Sequence, residues 1–285
     1  MDWKKLKKID AHVHLLPQEN LSWQEGEWKQ ADVRLHAKLM ERYHVEQAVL
    51  VPINDLGTFY PDCEQTNRWL AAQMEASEGR LIAFADVHPA GGYFHEIAPY
   101  FLEQAVKEFG LKGLKLHPSN LGIAIDALDM IPVIRKACDL QVPIMIHSYP
   151  WGGTAFDHCS PARIHNVTRL FPDGKFIISH MGGCRWQDAL EGREYVDLSA
   201  FLPELVRLYG IPGANRILRE FGADRLIFAT DYPQVLGVEP PDIYETYCDL
   251  LNQMDFTQAE AEKIAWGNIS KILGLPGEEQ KIEDN

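Results

Sequence analysis

The chain lacks a Cys-x-x-Cys pair, a long apolar run and any surplus of positive charge. Its five cysteines (Cys63, Cys138, Cys159, Cys184 and Cys248) are odd in number and widely spaced. That pattern fits a reducing compartment better than a disulfide framework. No stretch approaches the ~20 apolar residues of a transmembrane helix. The basic start, Met1-Asp2-Trp3-Lys4-Lys5, is not followed by the apolar run of a signal peptide. The expectation is a cytoplasmic protein without a membrane partner. Lys and Arg number 27 against 41 Asp and Glu, a net charge of -14. With no basic stripe to offset it, this balance argues against a nucleic-acid partner. It leaves room for a small anionic substrate, because charge in a pocket can oppose the global sign. No Gly-x-Gly-x-x-Gly follows the first strand, so a dinucleotide fold gains no support. Repeats, low-complexity tracts and linkers are also missing.

What is present is a sizeable apolar fraction, 46%, with an ordinary 24% of charged residues. Apolar runs and helical periodicities alternate along the chain. Strand-like segments lie at 9–14, 46–53, 81–87, 113–116, 142–146, 176–179, 196–200 and 226–230. Helical segments fall at 31–44, 61–78, 93–109, 128–140, 160–171, 205–221 (interrupted near Gly210 to Gly213), 243–254 and 257–273. Leu15 to Gln30, polar and carrying Trp23 and Trp28, reads as a long loop able to cover a site. Eight strands alternating with helices imply a parallel sheet, and in this length they favour a closed barrel. The expected fold is α/β, a single-domain (β/α)8 TIM barrel over residues 1–275, with a frayed charged tail at 276–285.

The chemistry collects at strand ends. His12 and His14 are two apart in an extended strand, so their imidazoles share one face, which suits a divalent transition metal. His14, His88, His117, His147, His180 and Asp231 all close expected strands. In a (β/α)8 barrel those ends form the active-site face. Of eleven histidines, more than half lie within a residue or two of a strand end. Packing alone would scatter them over helices and loops, where His36, His44, His95 and His165 fall.

These landmarks match a known pattern. Ile9-Asp10-Ala11-His12-Val13-His14, Gly113-Leu114-Lys115-Leu116-His117-Pro118, Ile146-His147, Ser179-His180-Met181-Gly182-Gly183, Thr230-Asp231-Tyr232-Pro233 and Trp266-Gly267-Asn268 occur in that order. The chain resembles the amidohydrolase superfamily, in the branch called amidohydrolase family 2, which includes aminocarboxymuconate-semialdehyde decarboxylase. The resemblance implies that His12, His14, His147 and Asp231 ligate one divalent metal, with zinc the default and Mn, Co, Fe or Ni also accommodated. It further implies that Asp231 accepts protons and that His180 activates or orients water or substrate. Three nitrogens and a carboxylate with an open position describe a catalytic zinc site. Some members of the wider superfamily bridge two metals through a carboxylated strand-four lysine. Lys115 occupies such a position, but a second metal is not expected in this branch. His117 and Lys115 are assigned to the substrate or to support of the ligands. Tyr149, Trp151 and Arg185, on loops after strand ends, are candidates for shaping the substrate site, Arg185 as a carboxylate clamp. His88, before Pro89, is read as structural.

The leading reading is a metal-dependent hydrolase that directs a metal-activated water at an amide, ester or lactone of a small molecule. The alternative is a metal-dependent, non-oxidative decarboxylase of a small aromatic or unsaturated carboxylic acid. The ligand set does not separate them. A phosphoesterase of the polymerase-and-histidinol-phosphatase type also opens with His-x-His, but its other motifs do not match. A homodimer is compatible with the sequence.

Overall fold

The computed structural model describes residues 1–55, 57–60, 62–89, 94–150 and 157–275. Eight short strands form one sheet in chain order: β1 (Lys8–Val13), β2 (Val45–Leu50), β3 (Leu81–Ala85), β4 (Gly113–Leu116), β5 (Ile144–Ile146), β6 (Phe176–Ile178), β7 (Tyr195–Asp197) and β8 (Leu226–Ile227). Each pairs in parallel with the next. The last then meets the first. Ala11 N–H donates to Phe228 O (3.1 Å), Asp231 N–H to His12 O (2.9 Å) and His14 N–H to Tyr232 O (2.7 Å). The sheet is therefore a closed (β/α)8 barrel. Its strands are buried on both faces, which is why they read as apolar runs rather than as alternation.

Two apolar layers hold the barrel. The inner one joins Ile9, Ala11, Val49, Ile82, Phe84, Met145, Ile177, Ile227 and Ala229 across the lumen. The helix Asn268–Leu273 closes it where the strands begin, by adding Ile269 and Ile272. Asn268 fixes that helix by donating to Ala223 O and Leu226 O, both at 2.7 Å. The larger outer layer packs the other strand face against the surrounding helices.

Several boundaries differ from the sequence reading, each for a local reason. Residues 15–30 are not one loop: they contain two short turns of helix, Gln18–Leu21 and Gly26–Gln30. The first long helix starts later, at Val33, because Asp32 caps it by accepting from Arg34 N–H (2.8 Å) and Leu35 N–H (2.9 Å). Gly210 (φ 66) kinks the helix Phe201–Phe221 where the interruption was expected. The final helix is broken by a π turn at Lys263–Gly267, whose Ile264 carbonyl accepts from Phe228 N–H at 2.9 Å. The expected tail at 276–285 lies outside the described residues. Among the described residues no helix is long and apolar enough to cross a membrane.

Candidate metal centre and active site

β1 does not keep one alternation throughout. Its register with β2 shifts between Asp10 and Val13, where three steps on β1 match two on β2 (Asp10 opposite Ala48, Val13 opposite Leu50). Such a bulge re-aims the side chains beyond it. Before it Ile9 and Ala11 face the lumen, and after it Val13 joins the outer layer while His12 and His14 turn inward. Asp231, at the end of the chain segment leaving β8, adopts a left-handed φ of 71. His12 Nε2 and His14 Nε2 stand 3.2 and 3.0 Å from Asp231 Oδ1. These three groups form a set of donor atoms able to hold a metal ion.

The hydrogen-bond network assigns the tautomers. His14 Nδ1 lies 2.8 Å from Val51 O, a carbonyl that can only accept, so Nδ1 carries the proton. His12 Nδ1 lies 3.2 Å from Asp197 Oδ2 and donates likewise. Both Nε2 atoms are therefore lone pairs, and both point at Asp231 Oδ1, which is buried and receives no donor. Three electron-rich atoms face one another, an arrangement that a cation relieves. A carboxylate or carbonyl behind each ligating imidazole is the usual support of metal sites. Burial, with Lys115 next, drives His12 well below the ordinary imidazole range, and burial also lowers His147, His117 and His180. Burial pushes the Asp231 carboxyl up, while positive charge on the surrounding imidazoles, His12 first, pulls it below the ordinary carboxylate range; with their Nε2 atoms unprotonated, a cation among them would take over that role. Neutral imidazoles and an ionised carboxylate are the forms that metal binding requires.

His180 and His147 sit beside this group. His180 opens a run of four left-handed residues: His180 (φ 59), Met181 (φ 54), Gly182 (φ 80) and Gly183 (φ 54). Glycine is needed late in that turn, since a Cβ at Gly182 would meet Pro161 Cγ at 2.6 Å. His180 Nδ1 lies 3.1 Å from Ser199 O and donates to it, so its Nε2 accepts from His147 Nδ1 at 2.9 Å. That leaves His147 Nε2 without a proton. The His147 ring stacks on His117 (centroids 3.6 Å apart, 15° between planes). His117 Nδ1 accepts from Asn120 N–H at 3.2 Å and so caps the short turn that follows. Lys115 is fully buried, and its Nζ donates to His12 Nε2 at 2.9 Å. It competes there with any cation for that lone pair. Burial lowers it to about 8 against the pull of Asp231 and Asp197.

A cavity of about 980 Å³ opens over the group, with His147, Tyr149, His180 and Asp231 on its wall. Val235, Leu236, Val238, Pro240 and Pro241 provide an apolar side, and Glu27, Glu204 and Glu239 an acidic rim. No Lys or Arg is among its described lining residues. Arg185, expected as a carboxylate clamp, is not among the described lining residues: its guanidinium pairs with Asp188, three residues along the same turn, and is nearly half exposed. Trp151 lies outside the described residues. Asp197, Ser199 and Asp10 were missed by the sequence reading. Asp197 takes the N–H groups of His180 (2.9 Å) and Ser199 (3.1 Å) while accepting from His12. Asp10 takes His12 N–H (3.1 Å), Thr230 N–H (3.0 Å) and the Tyr244 hydroxyl (2.8 Å), which ties β1 to the segment carrying Asp231. Asp197 closes β7, but the sequence reading carried that strand on to residue 200, which hid Asp197 from the strand-end rule.

An amidohydrolase family model (family 2) matches residues 9–275. The chain is 26% identical over 175 residues to an enamidase from Eubacterium barkeri, a match that covers 57% of this chain and 44% of that protein. The chain thus matches less than half the length of this curated relative. Among solved structures it is similar to the 2,6-dihydroxybenzoate decarboxylase from Rhizobium, with a TM-score of 0.71 and 18% identity, covering 95% of this chain and 100% of that one. It is also similar to a dihydroxybenzoic acid decarboxylase from Polaromonas sp. with bound manganese and the inhibitor 2-nitroresorcinol. That likeness has a TM-score of 0.70 and 19% identity, covering 96% and 98% of the two chains. At such identities the structural likeness is one of fold.

Proposed function

Because the chain belongs to the amidohydrolase family and is an enzyme, we propose that it is a metal-dependent, non-oxidative decarboxylase of a small aromatic carboxylic acid. The observation that carries this reading is the convergence of His12 Nε2, His14 Nε2 and Asp231 Oδ1 beneath a cavity without a Lys or Arg among its described lining residues. A substrate carboxylate entering that cavity needs a positive partner, and these residues are suited to hold one. The named decarboxylases of Rhizobium and Polaromonas, and the manganese in the latter, support the same reading.

His12, His14 and Asp231 would hold the cation, and His147, with its Nε2 free of a proton, would add a further donor. A divalent cation, manganese or zinc, supplies a Lewis acid that anchors and polarises the carboxylate. The apolar side formed by Val235, Leu236 and Val238 receives the ring, and Tyr149 adds an aromatic wall to the same cavity. Breaking the ring-to-carboxyl bond releases CO₂ and leaves an electron pair on the ring carbon, which takes up a proton. That proton comes from solvent, and Asp231 and His180, which both border the cavity, would pass it to the ring carbon. Asp197 and Ser199 orient His12 and His180. Lys115 balances Asp231 and Asp197 from within the barrel wall.

Hydrolysis of an amide is the second reading, favoured by the Eubacterium barkeri enamidase match and compatible with the same donors. A direct test loads purified protein with Mn²⁺ or Zn²⁺ and offers hydroxylated benzoates, 2,6-dihydroxybenzoate among them, beside cyclic amides. Release of CO₂ with the matching phenol is the expected result. Amide hydrolysis without CO₂ would replace this reading with the second.

A further inference from the structure

A second group of metal-type donors lies away from the barrel centre. Ligand atoms of Cys63, Asp86 and His88 all fall within 4.8 Å of one another. Cys63 opens the helix Cys63–Ala76, and Asp86 and His88 follow β3 at the mouth of the barrel. The carboxylate is held firmly. Asn67 grips the Asp86 backbone on both sides, accepting from its N–H at 2.8 Å and donating to its carbonyl at 2.8 Å. Asn54, which follows β2, is 1% exposed and left-handed (φ 56). Its Nδ2 donates to Asp86 Oδ1 at 2.6 Å. His88 Nε2 stands 3.4 Å from that same oxygen.

Asn54 Oδ1 is buried and takes no hydrogen bond from the described residues. It belongs to the same amide whose nitrogen touches Asp86. Buried carbonyl oxygens normally find a donor, and one that does not calls for an explanation. A thiol, an imidazole, a carboxylate and a bare amide oxygen are together a four-donor set, and none of them takes part in the chemistry at His12 and Asp231.

We propose that Cys63, Asp86 and His88, completed by Asn54 Oδ1, form a second and structural site for a divalent cation of the zinc class. Sulfur, nitrogen and oxygen donors in a group of four suit zinc, and the thiolate separates this site from the barrel centre, where no sulfur takes part. A cation here ties the segments after β2 and β3 to the first turn of the helix Cys63–Ala76. The segment after β2 also carries Val51, whose carbonyl orients His14, so the site braces the wall behind that ligand.

Cobalt titration of the full, metal-stripped chain tests this. A thiolate-to-cobalt charge-transfer band reports sulfur ligation and does not depend on activity. The band is expected in wild type, in the His12→Ala/His14→Ala variant and in Cys184→Ser, and it should vanish in Cys63→Ser. His88→Gln, a milder change should Cys63→Ser fold poorly, is expected to weaken the cobalt binding read by that band by at least ~10-fold, the lower end of what even an outer partner contributes. Absence of a thiolate band in wild type would overturn the proposal, as would a band that survives Cys63→Ser or cobalt affinity unchanged by His88→Gln.

Discussion

The two ends of the barrel use the same strands for opposite purposes. Where the strands begin, the lumen is filled by Ile9, Ala11, Ile82, Met145, Ile177 and Ile227. A few residues further along, equally buried, stand His12, Lys115, His180 and Asp197. Burial of the first set stabilises the fold by roughly 25 cal/mol per Å² of apolar surface. Burial of the second costs free energy unless each group is paired. The pairs come from neighbouring strands: Asp10 with Thr230, Asp197 with Ser199 and His12, and Val51 with His14. Among the groups that meet His12 and His14, Asp231 Oδ1 lacks a donor, and it faces two lone pairs. The closed end thus supplies stability, and the mouth holds polar groups in an arrangement that a cation would complete. Activity and stability should therefore separate along the barrel axis.

The sharpest break of that contrast is the pair His12→Ala/His14→Ala. Metal at the barrel centre and CO₂ release should both fall to background while the circular dichroism spectrum is kept. Retention of either would contradict the assignment. Asp231→Asn comes next: kcat should drop ~10²–10⁴-fold, the range for a lost proton-transfer group. Its thermal midpoint should change little, because the residue removed is the one without a donor, and calorimetry beside turnover checks both halves. Asp197→Asn weakens the support of His12 and should reduce metal affinity ~10–100-fold. Turnover in that variant should recover as metal is raised, whereas a defect that added metal does not relieve would place Asp197 in the chemistry itself. At the closed end the order reverses. Met145→Ala should cost ~2–5 kcal/mol in denaturant unfolding, with kcat per folded molecule unchanged.

The smallest effect concerns pH at the closed end. Burial pushes Glu194 up, but His165, whose Nε2 approaches to 3.4 Å, and a hydrogen bond from Thr168 outweigh it and hold the carboxyl at about 2, below its ordinary 4.5. A lowered carboxyl contributes stability above its unfolded value and loses it as pH falls through the folded one. Stability should therefore decline between about pH 4.5 and 2, and Glu194→Gln should flatten that decline in pH-dependent urea melts without moving the pH profile of turnover at neutral pH.

Much of this division can be read in the chain. Where alternation runs unbroken, inward positions continue from the floor to the mouth: Met145 to His147, and Ile227 through Ala229 to Asp231. On those strands a period of two leads directly to the site. On β1 it shows that His12 and His14 share a face, but Ile9 and Ala11 are of the other parity and also face inward. Only the register with β2, a long-range property, exposes the extra residue that reconciles them. His180 reaches the site through left-handed backbone, which Met181-Gly182-Gly183 hints at without locating. Arg185 pairs with Asp188, a carboxylate three residues on, a local contact that a strand-end argument does not take into account. The cavity wall was beyond the reach of the sequence, because its described lining residues come from segments far apart in the chain.

The most direct test of the central claim follows CO₂ release from aromatic carboxylic acids by metal-stripped and metal-reloaded protein side by side. The expected result is no release from the stripped protein and turnover restored on reloading. Equal release from both preparations, or none from the reloaded protein across the acids tried, would contradict it.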